Sequence, residues 1–176
     1  MLYPTAMGAA FDDLPEALQR FHSVDGSDFY KGRVTVTHGN AMARMVAQAG
    51  GMPGTSGEMP FTFRMTRDRD VEIWERNFDG HMTRSKQWLE APGIVAEQVG
   101  TSVFLMEPKV LDGGLHIPIT KITGFGLPVP KGLVVSCEGV EGVGSDGAIT
   151  FDVHAKVKGL GLIIRYQGEM TRFTGR

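Results

Sequence analysis

From residue 59 onward the hydrophobic positions recur at every second residue. Met59, Phe61, Phe63 and Met65 alternate with Thr62, Arg64 and Thr66, the spacing of a strand whose side chains point to two faces in turn. The alternation returns with Glu72, Trp74, Arg76 and Phe78 set against Val71, Ile73, Glu75 and Asn77. After Asp79-Gly80 a second run, His81 to Leu89, completes a β-hairpin that carries both tryptophans, Trp74 and Trp88. Shorter apolar runs follow at Ile94 to Val99, Thr101 to Met106 and Leu115 to Ile122, with Asp112-Gly113-Gly114 as a hairpin turn. Gly124 to Gly132 holds two prolines and three glycines, which exclude a central strand and predict a bent crossing or rim loop. Leu133 to Val140, Ala148 to Val157 and Leu160 to Phe173 supply three more strands. The last puts Leu162, Ile164, Tyr166, Gly168 and Met170 on one face and Arg165 on the other.

Before residue 58 the spacing is partly helical. After a loose start, Leu14, Ala17, Leu18 and Phe21 form one stripe of a short helix, with Asp13 as its cap and His22 near its end. Asp28 to Thr37 alternates as a first strand. Asn40 caps a second helix with Met42, Met45, Val46 and Ala49 as the apolar stripe, and Gly50-Gly51 ends it. These elements predict an α+β fold that is mainly antiparallel β. It is a curved up-and-down meander of about nine or ten strands, a half-barrel or barrel resembling lipid-binding proteins, with two short N-terminal helices. One domain over residues 1–176, with a core from about 12 to 173, is the expectation for a chain of this length.

Composition narrows the function. Glycine is twice as common as average usage of about 7%, with 24 residues gathered at the joins between apolar runs. The charges nearly cancel, 18 Lys plus Arg against 20 Asp plus Glu, and no basic run is present, so a nucleic-acid footprint is missing. No stretch approaches the roughly 18 apolar residues of a membrane span, and the N-terminus does not read as a signal peptide, which predicts a cytoplasmic protein. The single cysteine, Cys137, lies in an apolar strand and reads as a small core residue.

Candidate chemistry is sparse. Gly142-Val143-Gly144-Ser145-Asp146-Gly147 matches a dinucleotide fingerprint, but a strand follows it, so it reads as a glycine-rich turn. Asp152 and His154 share a strand face without a third ligand, and no nucleophile elbow is present; neither a metal nor a cofactor is expected. The Trp74 hairpin is the stronger candidate. Arg76 and Arg84, on adjacent strands, are expected to share a face beside Trp74 and Phe78, where two guanidinium groups would hold a carboxylate or phosphate over an apolar body. His22, Arg165 and Tyr166 complete the candidate ligand-binding set. Methionines within the predicted elements suit a pocket that adapts to apolar ligands.

The chain also resembles an uncharacterised bacterial family, a domain of unknown function found alone or behind saccharopine-dehydrogenase-like or short-chain reductase domains. The resemblance rests on Leu14-Pro15 with Phe21-His22, Gly32 with Val34, Trp74-Glu75-Arg76-Asn77-Phe78 with Ser85, Gly126-Leu127-Pro128, and Gly159-Leu160-Gly161 leading to Arg165-Tyr166-Gln167-Gly168. It implies a common fold, and its reductase neighbours point to hydrophobic metabolites. The leading expectation is a non-catalytic binding module for a hydrophobic or acidic-headed small molecule. The rivals are an enzyme using His22, Glu72 or Tyr166 as acid or base, and a sheet edge that mediates homodimerisation or docking onto a reductase.

Overall fold

The alternating strands close on themselves. In a computed structural model, which describes residues 1–130 and 132–174, twelve strands form one sheet. They are β1 Ser27–His38, β2 Gly57–Asp68, β3 Val71–Phe78, β4 His81–Ala91, β5 Ile94–Val99, β6 Ser102–Met106, β7 Lys109–Leu111, β8 Gly114–Gly124, β9 Leu127–Pro128, β10 Val134–Val143, β11 Ile149–Val157 and β12 Gly161–Arg172. All the pairings are antiparallel, and β12 pairs β1 while β10 pairs β8. Ten of the strands therefore make a closed barrel, and β7 and β9 are short additions alongside β8. Closure leaves little free edge among the described residues. Lys131, in the predicted rim loop, lies outside the described residues.

The turns at either end follow from residue type. Asp79-Gly80 and Asp112-Gly113 have φ of 48° and 97°, and 52° and 75°, the positive pairs of two-residue hairpin turns. At the glycine fingerprint, Gly144 N donates to Ala148 O and Gly147 N to Gly144 O, so the motif is a hairpin turn. The β1–β12 seam needs two glycines. A Cβ on Gly32 would sit 1.8 Å from Glu169 O, and one on Gly168 2.1 Å from Arg33 O.

Helices close the two ends. At the lower end the predicted loose start is instead α1, Leu2–Met7, followed by a 3-10 turn, Gly8–Asp13, and then α2, Glu16–Phe21. Leu2, Tyr3 and Ala6 join the core, which thus begins well before residue 12. Asp13 does not cap α2. Pro15 occupies that place, and the side chain of Gln19 ties the turn by donating to Asp12 O and Leu14 O. At the upper end α3, Ala41–Ala49, is capped as predicted, Asn40 Oδ1 accepting from Ala43 N at 2.9 Å.

The predicted stripe of α3 faces the wrong way. Ala43 and Ala47 are buried, while Met42, Met45, Val46 and Ala49 lie on the exposed side. Small residues let the helix approach β12 closely: a Cβ on Gly39, just before it, would meet Leu162 O at 2.1 Å.

Inside, an aromatic cluster fills the lower half. Phe21 packs against Tyr30 and Phe63 with ring centroids 5.0 and 5.4 Å apart, and Phe63 against Trp74 at 5.2 Å. Outside, β1 to β4 present Lys31, Arg33, Arg64, Glu75, Arg84 and Lys86. That is the reverse of a membrane-spanning barrel, which is apolar outward. No described helix is long and apolar enough to cross a membrane.

Candidate functional site

The β3–β4 hairpin decides which face matters. Its two-residue turn pairs Arg76 with Thr83 and Glu75 with Arg84. Glu72, Trp74, Arg76 and Phe78 of β3 are buried, as are Thr83, Ser85 and Gln87 of β4. This face points into the barrel. Arg84 lies on the outer face, its Nε 3.6 Å from Glu75, and does not join Arg76; directly opposed residues share a face, and Arg76 is opposed by Thr83. Arg165 is also outside, bonded to Asp152 through Nε at 2.9 Å, because the period of two that turns Tyr166 inward turns Arg165 outward.

The interior thus holds several polar groups, and three of them, Glu72, Gln87 and Glu141, are engaged by the N-terminal segment. Glu72 accepts from Leu2 N and from Trp74 Nε1, each at 3.3 Å. The Tyr3 hydroxyl donates to Gln87 Oε1 at 3.3 Å. His22 Nε2 donates to Glu141 at 2.6 Å, while its Nδ1 is buried without a partner among the described residues. His22 is wholly enclosed under the Tyr3 ring, so it serves the packing of this plug and does not reach a cavity.

One interior group is left over. Arg76 donates to Ser85 Oγ at 3.0 Å and to Glu97 Oε1 at 3.1 Å, and its guanidinium carbon sits 5.1 Å from the Trp74 ring. Burial opposes the charge on Arg76, but the Glu97 carboxylate beside it outweighs this and raises the guanidinium pKa further. Above this pair lies a cavity of about 270 Å³. Its walls are largely apolar, including Val99, Phe104, Ile119, Val153 and Ala155, and its roof is the inner side of α3 with Ala47 and Gly50. Arg76, Thr83, Glu97 and Tyr166 give it a polar floor. Burial, acting against the nearby Arg76, pushes the Tyr166 hydroxyl up to about 12, so it stays neutral and able to donate.

Cys137 lines the same cavity and is not packed solidly as the sequence implied, since Val140 belongs to the opposite face of β10. The wall beside it is incomplete. The β8–β10 ladder runs only from Glu138↔Pro118 to Glu141↔Leu115. Above that, β8 pairs with β6 and β10 continues with β11 alone, leaving a seam flanked by Ile119 and Cys137. Wider hollows of about 510 and 630 Å³ exist at the lower end, beside α1 and the 3-10 turn. The upper cavity is the better candidate, because its walls are largely apolar and converge on a few polar groups.

Comparison with known proteins places the chain by family. A family model described as "Domain of unknown function (DUF4166)" matches residues 14–170. The chain belongs to this family. The DUF4166 match takes in most of the barrel and starts just after α1 and the 3-10 turn, so Leu2 and Tyr3 of the plug fall outside it. The crystal structure of Rv2717c from M. tuberculosis is similar over 91% of this chain and 99% of that one, with 12% identity and a TM-score of 0.46. No curated protein matches.

Of the residues singled out in the sequence, Trp74, Arg76, Phe78 and Tyr166 turn into the barrel, and Arg76 and Tyr166 border the cavity with Glu97 and Thr83, which the sequence did not single out. The signal for Thr83 was available, because a two-residue turn at 79–80 sets it opposite Arg76. Glu97 lies a strand further on, and nothing local marks it.

Proposed function

We propose that the barrel is a binding module that holds a small apolar molecule in the upper cavity, in the manner of lipid-binding barrels, with the polar end of the ligand at Arg76, Glu97 and Tyr166. The supporting observation is that the plug engages the other interior polar groups and leaves this set facing an apolar space. At about 270 Å³ the cavity is near the lower bound of small-molecule sites, roughly 300 Å³, which favours a compact ligand. Because Glu97 already balances Arg76, a hydroxyl, carbonyl or protonated carboxyl gains more here than a free carboxylate would. The acidic head inferred from two arginines loses its second cation with Arg84 outside.

Catalysis by Glu72, His22 and Tyr166 has no common cavity. Glu72 borders a surface groove, Tyr166 borders the interior cavity, and His22 is enclosed.

Native mass spectrometry and solvent extraction of the purified protein test the reading, together with titration of an apolar fluorescent probe. Ala155→Phe, which fills the cavity from β11, abolishes retention, and Tyr166→Phe weakens it by about tenfold, the loss of one buried hydrogen bond. A wild-type protein that binds no apolar probe, while Ala155→Phe raises its stability, would show the cavity to be a packing defect only.

A further inference from the structure

The exposed stripe on α3 is one part of an apolar rim. Met42 and Met45 are 62% and 68% exposed at positions that share a helix face with Val46 and Ala49. The turns of the same end of the barrel continue it. Gly51 O accepts from His81 and Thr83, which sets exposed Met82 beside the end of α3. The β8–β9 turn, held to Thr101 O by Phe125 N, presents Phe125 at 84% exposure and Leu127 beside it. Leu133 stands next to the β11–β12 turn through Lys158 N. Single exposed apolar residues need no explanation, but a set gathered at one end does.

The charges at that end are mainly basic, with Asp79 in the β3–β4 turn as an exposed exception. Arg44 lies within the α3 stripe, and Lys121, Lys156 and Lys158 are exposed near the neighbouring turns. Glu58, close by, is already paired with Arg33. The opposite end carries exposed Asp12, Asp13, Asp25, Asp70, Asp112 and Asp146 against exposed Arg69 and Lys109. A chain of net charge −2 thus turns a basic, apolar face in one direction.

This face also borders the cavity: α3 is its roof, and β8 runs from the seam up to the turn at Phe125. We propose that the upper rim docks onto an anionic lipid bilayer, with Met42, Met45 and Phe125 inserted among the headgroups and Arg44, Lys121 and Lys158 against their charge. An apolar helix face flanked by cations is the composition of an interfacial contact. Docked in this way, a ligand passes between the bilayer and the cavity without crossing water. That transfer rests on the ligand-binding reading above, whereas the docking does not.

The test is sedimentation of the full chain with vesicles of phosphatidylcholine alone and of phosphatidylcholine mixed with phosphatidylserine. Binding is expected to the mixed vesicles and to fall as salt is added. Met45→Asp with Phe125→Asp lowers the partition coefficient about a hundredfold, roughly tenfold for each apolar side chain withdrawn. Lys121→Glu with Lys158→Glu lowers it by about fivefold or more per residue. All four positions are exposed, and unchanged circular dichroism and melting show that the fold is retained.

Wild-type protein that leaves the mixed vesicles bare, or binding that survives both pairs of changes, overturns the proposal. So does a dimer in sedimentation velocity that Met45→Asp with Phe125→Asp dissociates while vesicles stay bare, since the rim is then a subunit interface. Ala155→Phe separates the two readings. It keeps vesicle binding while ligand retention is lost, and loss of ligand binding alone counts only against the cavity.

Discussion

Replacing Glu97 by alanine leaves the Arg76 charge buried with Ser85 as its remaining hydrogen-bond partner. The two side chains are 10% and 14% exposed and lie 3.1 Å apart, so at an effective dielectric near 20 their attraction is about 5 kcal/mol. Part of that offsets the cost of bringing both groups out of water. Breaking a buried pair by removing one partner costs about 3–5 kcal/mol. Here the cavity above the pair admits water to the orphaned guanidinium, which brings the expected loss to about 3 kcal/mol. For a chain of this size that is a fall in melting temperature of roughly 6–12 °C. The companion change, Arg76→Met with Glu97→Leu, removes both charges and extends the apolar floor, and is expected to lie within about 1 kcal/mol of wild type or above it. Urea denaturation of the wild type, Arg76→Met, Glu97→Leu and the double variant gives the coupling directly. If Glu97→Ala costs under about 1 kcal/mol, solvent already bathes the pair; if the double variant costs the sum of the singles, the two side chains are not coupled. Either result refutes the reading of a desolvated, balanced pair.

Two further outcomes follow from the packing. Gly32→Ala places a methyl group against Glu169 O within the β1–β12 ladder. The obstacle is backbone, so the cost is expected at the upper end of overpacking, about 3 kcal/mol, read as a lower urea midpoint, whereas a neutral result would mean that the seam yields. The Cys137 thiol is pushed up to about 12, chiefly by burial and then by Glu97 and Glu138. Iodoacetamide at about pH 8.5, where an ordinary thiol is half ionised, should leave it unlabelled until urea is added. Because the pKa is raised in the folded state, this stabilisation is present below the ordinary thiol range and lost as the pH climbs toward the folded value. Cys137→Ser flattens that alkaline limb, and rapid labelling of the native protein would contradict the burial.

The barrel was legible in the sequence because several strands keep one face largely apolar, and Met59 to Met65 or Leu162 to Met170 show this without any knowledge of partners. The hairpin turns were legible because only a few residue types tolerate positive φ. What was missed has two physical sources. Helical periodicity identifies an apolar stripe without saying which surface it covers. In α3 the contact with β12 is made by Ala43 and Ala47, whose small volume permits close approach, and the larger Met42, Met45 and Val46 are left outside. Long-range pairing is the other source. That Glu97 would meet Arg76 depends on two successive strand registers, and that Glu141 meets His22 and Gln87 meets Tyr3 depends on how the N-terminal segment docks in the closed barrel, which no local pattern contains. Arg84 is a different case, since counting across the two-residue turn opposes it to Glu75.

The same closure explains why so polar an interior is tolerated. Glu72, Gln87 and Glu141 point inward from three different strands, and left unpaired each would cost more than a hydrogen bond returns. Leu2 N, the Tyr3 hydroxyl and His22 Nε2, all from the segment ahead of β1, meet them one for one. The lower half of the barrel is therefore specified by a plug with three polar contacts set into an aromatic cluster. The upper half has no such plug: α3 lies across it on alanines and sends no polar side chain down to Arg76 and Glu97. Those two satisfy each other and leave apolar walls above them, so the proposed ligand site rests on the difference between the two ends, one filled by the chain itself and one roofed over a space.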